Sequence, residues 1–301
     1  MILTPDAYWK IALADRAAYL IDGAAYFRAL REAALQARHS VLMVGWDFNS
    51  QTQLVPDAST DGLPTRLVPF FDALVRKHKD LHVNLLNWDF AALYAAEREP
   101  LPVLRVNWKT DRRFRYAFDS ELPFGASHHQ KVVVIDDAIA FLGGFDLTVA
   151  RWDTPEHTPD NPMRTMHDGT AYGPFHDMQM VVTGAAARSL GELCRARWSR
   201  ATGKELAPPP PVAPIWPASA PVHFREVPVA FSRTFSAYKG WPAVHEVLRL
   251  HERLIRDAKR FIYAENEYLT SHDIADLLTA RLSDPESPEI VLVVPQVQSG
   301  W

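Results

Sequence analysis

Cysteine is nearly absent: Cys194 stands alone in 301 residues. No disulfide can form within the chain, and nothing points to an oxidising compartment. Long apolar runs are missing too, none reaching the roughly 18 residues of a spanning helix. The opening MILTPDAYWKIALADRAAYL intersperses charges and lacks a basic stretch leading into an apolar core, so no secretory signal is expected. Strong charge of either sign is also lacking. A net charge of −4 argues against a protein held on nucleic acid by bulk electrostatics. These absences predict a cytoplasmic protein. What is present is core: 48% apolar residues, enough for one large domain or two ordinary ones.

Taken in order, residues 9–38 read as two helices broken at Ile21-Asp22-Gly23. VLMVGWDF (41–48) has no room for a polar face and predicts a central strand. A polar loop, a helix through LVPFFDALVRKH and a second strand HVNLLNWDF (82–90) follow, an alternation that points to a sheet covered by helices. Arg105, Lys109, Arg112, Arg113 and Arg115 cluster among aromatics, either as a solvated face or as a surface for anionic groups. Further on, AIAFLGG and GPFHDMQMVVTG predict strands on either side of an irregular stretch from Thr154 to Tyr172. AAARSLGELCRARWSRATG predicts a helix capped by Gly203. APPPPVAPIWPASAP (207–221) is too rich in proline for helix or central strand and reads as an extended linker. Beyond it the order helix, strand, helix, strand starts again. This is the pattern of a duplicated domain: 1–206 as the first copy, 207–221 as linker and 222–301 as the opening of a second.

The most informative stretch is SHHQKVVVIDDAIAFLGG (127–144). Val132 to Ile135 form an apolar, β-branched run suited to a strand buried on both faces. If that strand begins near His129, the two-residue period puts His129 and Lys131 on one face, with Asp136 opposite or at the strand end. His128 then points the other way. Imidazole is neutral and nucleophilic near pH 7 and can carry a phosphoryl group; an ammonium beside it can neutralise non-bridging oxygens. In-line displacement places the leaving oxygen on the far side of phosphorus, so a second acid must face the first histidine. Only one H-x-K-x4-D occurs in these residues. By resemblance to the phospholipase D superfamily, in which a second H-x-K-x4-D supplies this acid, the second copy is expected to be incomplete, with the acid histidine coming from a missing C-terminal half or a second subunit.

H-x-K-x4-D with a downstream Gly pair resembles the signature of the phospholipase D superfamily. GGFDLTVARWDTPEH (143–157), GPFHDMQMVVTG (173–184) and FIYAENEYLTS (261–271) extend the resemblance over most of the chain. The resemblance implies an α/β fold, an α-β-α sandwich with a mixed central sheet and helices on both faces, duplicated with the second copy incomplete. It implies a catalytic set of His129, Lys131 and Asp136. Supporting roles fall to Asp177 (orienting the imidazole), Gly143, Gly144 and Asp146, and to Glu265 and Asn266 (floor of the site). Many members continue Gly-Ser-x-Asn where this chain has Gly143-Gly144-Phe145-Asp146, so which group does the work of the Ser and Asn stays open. The implied reaction is phosphodiester hydrolysis or transphosphatidylation of phospholipids through a phosphohistidine, as in phospholipase D or cardiolipin synthase-like enzymes. Water or an alcohol is the acceptor, and the contact with membrane is peripheral. No cofactor or metal is expected. His157, His167 and His176 are too irregularly spaced for a zinc pattern. Trp46, Trp88 and Trp108 read as core or pocket wall. The alternatives are a single-motif, nuclease-like homodimer and a phosphate-binding fragment without turnover.

Overall fold

The computed structural model describes residues 4–56, 61–89 and 102–296, the side chains of 102–105 excepted. The chain divides into two compact units, one of Ala12–Val229 and one of Met1–Ile11 with Ala230–Trp301.

The larger unit is built on an eight-stranded mixed sheet. Its elements run β1 (Lys10–Ile21), α1 (Asp22–Ala34), β2 (Ser40–Gly45), α2 (Leu67–Lys77), β3 (His82–Trp88), α3 (Pro102–Lys109) and β4 (Phe114–Asp119). They continue with β5 (Val132–Ile135), β6 (Ile139–Gly143), β7 (Met178–Thr183), α4 (Ala185–Thr202) and β8 (Phe224–Phe231). Across the sheet the order is β4-β3-β2-β5-β6-β7-β1-β8. β2, β3 and β4 are parallel; β5, β6, β7 and β1 continue antiparallel.

Alternation sorts the central strands between two faces. Val41, Met43, Val83, Leu85, Val133, Ile135 and Phe141 join Phe27 and Leu30 of α1 and Phe70, Phe71 and Leu74 of α2 in one core. Their neighbours Leu42, Val44, Leu86, Val132, Val134 and Ala140 are equally buried, on the face that α4 covers with Leu190, Cys194 and Trp198. Helices lie on both faces, as the sequence predicts. Cys194 is a buried core residue. Gly203 closes α4 at φ 69°, its N–H reaching Ser199 O at 2.8 Å.

Three expectations change. Residues 10–21, expected as a helix, form strand β1, because pairing with β7 outweighs the helical preference of an alanine-rich segment. The basic run 105–116 is folded into α3 and β4, and Arg113 is spent on structure, donating to Asp111 and to the carbonyls of His78 and Lys79. Arg105's side chain and Phe90, the end of the second expected strand, lie outside the described residues. The proline-rich stretch runs extended but packs on the first unit. Ile215 and Ala220 are buried in its core, and β8 adds to its sheet. The division between units falls at Val229–Ala230 rather than within 207–221.

In the smaller unit β9 (Thr234–Phe235) and β10 (Val244–His245) form a short antiparallel pair. Then come α5 (Glu246–Asp257), β11 (Phe261–Glu265), α6 (His272–Leu282) and β12 (Glu289–Val293), with β11 and β12 parallel. This is the order and pairing of α1, β2, α2 and β3.

Candidate active site

The residues 128–131 enter β5 as extended chain, and their side chains divide by parity. His128 and Gln130 turn toward α4. His128 Nε2 lies 3.1 Å from Asp119 Oδ1, Asp119 Oδ2 takes Arg197 Nη2 at 2.6 Å, and Arg197 Nη1 donates to Gln130 Oε1 at 3.1 Å. Burial would raise the Asp119 carboxyl, but His128 and Arg197 together hold it down at about 2. Burial also pushes the His128 imidazole below its ordinary value, against the pull of Asp119. With alternate residues anchored, His129 and Lys131 face the other way, against the same indole. The His129 ring centroid is 5.9 Å from that of Trp46, and Lys131 Nζ is 5.8 Å from it. His129 is exposed, while Lys131 is buried. The shared face read from the two-residue period holds, although β5 proper begins only at Val132.

Lys131 is paired. Its Nζ lies 2.9 Å from Asp146 Oδ2, both side chains being buried, and donates to the His129 carbonyl at 3.4 Å. Asp146 Oδ1 also accepts from the N–H groups of Trp46 and Asp47 at 2.9 and 3.1 Å. Those two bonds pull the chain off the sheet after Gly45, which ends β2 short of the expected Phe48 and swings Trp46 over the motif. Trp46 stacks obliquely on Trp88 at 5.8 Å; Trp88 is buried core, whereas Trp108 is exposed on α3. Asp146 thus fixes both the cation and the indole.

The Gly pair is explained by close approach. A Cβ on Gly143 would sit 2.4 Å from Met178 O, and one on Gly144 would sit 2.0 Å from Asp177 Oδ1. Removing both Cβ atoms lets the start of β7 lie against the end of β6, bringing the Asp177 carboxylate beside the site. Burial raises the Asp177 carboxyl above the usual range, opposed by its bond from Met178 N–H and by the charge of Lys131.

Asp136 needs correction as a member of the reacting set. It stands at the far end of β5, roughly 15 Å along the strand from Lys131. There its carboxylate accepts from the backbone N–H groups of Arg38, His39 and Ser40 at 2.7–2.8 Å. It latches the α1–β2 turn to β5 and acts as a support. Glu265 and Asn266 belong to the smaller unit. Glu265 accepts from the Tyr263 hydroxyl, and Asn266 N–H donates to Val293 O at 3.1 Å. The residues that sequence reading missed are Asp119 and Arg197, which stand among other acids and arginines in the sequence and are singled out only by their burial against His128 and Gln130.

Asp146→Asn tests the cation's environment. The Asn Oδ1 still accepts from Trp46 and Asp47, but the neutralising charge is gone. Binding of inorganic phosphate is expected to tighten about tenfold, in line with the loss of one like charge beside the ammonium. Calorimetric titration with phosphate gives the answer, and unchanged affinity would remove Lys131 from the anion site.

A motif of imidazole and ammonium, held by its neighbours and walled by indole, is thus in place on a mixed α/β frame. Among curated proteins, the chain is 25% identical to phospholipase D alpha 4 of Arabidopsis thaliana over 79% of its own length and 37% of that protein's. It is 22% identical to phospholipase D2 of Bos taurus over 88% and 35%. It therefore spans little more than a third of these relatives. Of solved structures, phosphatidylserine synthase from Haemophilus influenzae superposes with a TM-score of 0.51 at 12% identity, covering 96% of this chain and 63% of that one, a likeness of fold alone. The phospholipase D family model matches residues 33–213, the stretch that carries β2 to β7 and the motif. The chain belongs to the phospholipase D family.

Proposed function

We propose that this chain carries one half of a phosphodiester-transfer site in which His129 is the nucleophile. The observation that carries the reading is the gathering of an exposed imidazole and a buried ammonium on one indole, with Gln130 between them turned away to Arg197. His129 attacks the phosphorus, the P–O bond to the leaving alkoxide breaks, and the phosphoryl ester rests on the ring nitrogen. Lys131 carries the charge on the non-bridging oxygens. Water or an alcohol then takes the group, giving hydrolysis or exchange. Asp177 supports the site as a carboxylate held at its edge by Gly144. The proton for the leaving oxygen comes from a histidine facing His129, supplied by a second motif of a longer protein or by another subunit. The matching order of α5, β11, α6 and β12 favours the former.

The substrate class is a phospholipid, favoured by the names of the relatives. No helix among the described residues is long and apolar enough to cross a membrane. Lipid would be met at the bilayer surface, and Phe124, fully exposed in the loop leading into the motif, is placed to dip into it. Phe124→Ser is expected to cut binding to phosphatidylcholine–phosphatidylglycerol vesicles about tenfold, from the burial energy of one phenyl ring. Hydrolysis of a soluble ester should not change. Equal vesicle flotation of the two proteins would dismiss that contact.

The deciding experiment supplies the assembled site, this chain together with the half that brings the facing histidine, with a short-chain phosphatidylcholine in the presence and absence of ethanol. A phosphatidylethanol product, formed at the expense of phosphatidic acid, is the expected sign of a shared covalent intermediate. Phosphatidic acid formation indifferent to ethanol would count against it.

A further inference from the structure

A distinct surface lies on the chain between α4 and β8. Residues 206–215, after the α4 cap, read Leu-Ala-Pro-Pro-Pro-Pro-Val-Ala-Pro-Ile. Proline fixes φ near −65°, and a residue before proline is held out of the α region, so 207–210 and 213 are confined to the polyproline II range. No cis peptide bond and no positive φ occurs in this stretch. Such a chain winds as a left-handed helix of three residues per turn. Burial follows that period without a break. Leu206, Pro209 and Val212 are partly buried and Ile215 is buried, while the two residues after each of the first three are exposed. One edge in three thus rests on the larger unit, where Val212 and Ile215 join the core.

Both ends of this helix are fastened. Lys204 N–H donates to the Thr202 hydroxyl at 3.2 Å. Beyond Ile215, the Trp216 indole N–H donates to Ala220 O at 3.1 Å, the Arg16 guanidinium lies 6.0 Å from the indole centroid, and Ser219 N–H donates to Glu32 of α1 at 2.8 Å. About 28 Å of polyproline II helix, nine rises of about 3.1 Å, is held between them. Its outward edges carry three dipeptides ending in proline, each one turn after the last: Ala207-Pro208, Pro210-Pro211 and Ala213-Pro214. No backbone N–H among the described residues donates to a carbonyl of 207–214. Tethering alone would be served by a chain with no fixed face. Here the ridge is ordered by folding, so a partner meets it already formed.

We propose that this ridge docks a small protein module with an aromatic-lined groove of the SH3 kind. A groove of that kind reads a preformed polyproline II helix by seating prolines between aromatic rings. Its indole and phenol donors reach the open carbonyls. Two consecutive dipeptides fill two slots, and the third offers a second register one turn along. Proline suits such slots because its ring is apolar and has no rotamer freedom to lose. The flanking charges, Lys204 and Glu205, are of opposite sign, so the ridge brings no net charge and the contact is insensitive to salt. None of the ridge residues belongs to the set around His129. Docking would therefore hold the protein beside a partner without entering the reaction.

The test titrates the full chain into an isotope-labelled SH3 domain of P-x-x-P specificity and follows the amide shifts of the domain. Saturable shifts confined to its aromatic groove are expected, with a Kd of about 10–100 µM, the weak range of a small contact. Pro208→Ala combined with Pro211→Ala should weaken binding at least about tenfold, from the lost burial of two rings. Pro285→Ala, at an exposed proline of the smaller unit, should leave it unchanged. Both ridge prolines are exposed, so the double variant should melt with the parent. Should it not, poly-L-proline added to the parent gives the second measure, by displacing the domain. No saturable shift, shifts outside the groove, or equal binding by parent and double variant overturns the proposal. Self-association of the chain that the double variant loses would assign the ridge to a second copy, and overturns it as well. The readout is binding, so the result stands apart from any activity of His129.

Discussion

His129→Ala is expected to abolish labelling of the protein by an activated phosphodiester, lowering the first turnover by a factor of about 10^4 or more, the scale on which removal of a covalent nucleophile is felt. A bis(p-nitrophenyl) ester suits this chain because its leaving group departs as a stable anion. The facing acid is then unnecessary, and the nucleophile can be examined without the rest of the site. The parent should release a burst approaching one nitrophenolate per chain, followed by slow hydrolysis. His129→Ala should show no burst, and Lys131→Met a burst slowed by two to three powers of ten, as for loss of a group that stabilises transition-state charge. His128→Asn should keep the burst, since His128 faces Asp119 and not the pocket. Rapid-quench kinetics with mass measurement of the adduct decides it. An undiminished burst in His129→Ala would send the search for the nucleophile elsewhere.

Arg164→Ala is expected to destabilise the larger unit by about 3–5 kcal/mol, the range for leaving one member of a buried ion pair unpaired. Arg164 is essentially inaccessible, and its guanidinium is saturated. Nη1 reaches both Asp153 oxygens at 3.1 Å, Nη2 donates to the carbonyls of Thr158 and Pro159, and Nε donates to Tyr172 O at 3.3 Å. One side chain thus replaces the sheet or helix bonds that residues 153–172 do not make. Its loss takes the cation from the buried Asp153 carboxylate and frees three carbonyls at once. Urea unfolding followed by tryptophan fluorescence should show the fall in midpoint. Amide exchange should rise first between Thr154 and Tyr172, the segment whose carbonyls this guanidinium holds. A shift under about 1 kcal/mol, the worth of an exposed pair, would mean that the segment is held some other way.

The difference between these two residues shows what could be read in advance. His129 and Lys131 announce themselves because the chemistry is local: two residues apart, before a β-branched run, with parity enough to place them together. The Gly pair was legible as a feature, but its reason was not. That Gly144 makes room for the Asp177 carboxylate depends on β6 and β7 being neighbours, and the 34 residues 144–177 separate the two strands. Arg164 gave no signal at all, one arginine in a polar stretch. Asp136 misled by belonging to the motif. Motif spacing does not tell a reacting group from a latch, and only the three N–H groups of Arg38, His39 and Ser40 make the distinction.

From sequence alone came the class of fold, the helices α2 and α4, the strands β2, β3, β5, β6 and β7, and the identity and common orientation of the imidazole and ammonium. All of these follow from periodicity or from groups a few residues apart. The tertiary structure alone decided that residues 10–21 are a strand, that Asp146 holds Lys131 and Trp46 in one grip, that Arg197 anchors the motif from behind, and that Asp22, His157 and His176 converge. Each of these joins residues distant in the chain. The free energy that selects them, from strand pairing and from pairing of buried charge, exists only once the sheet has closed.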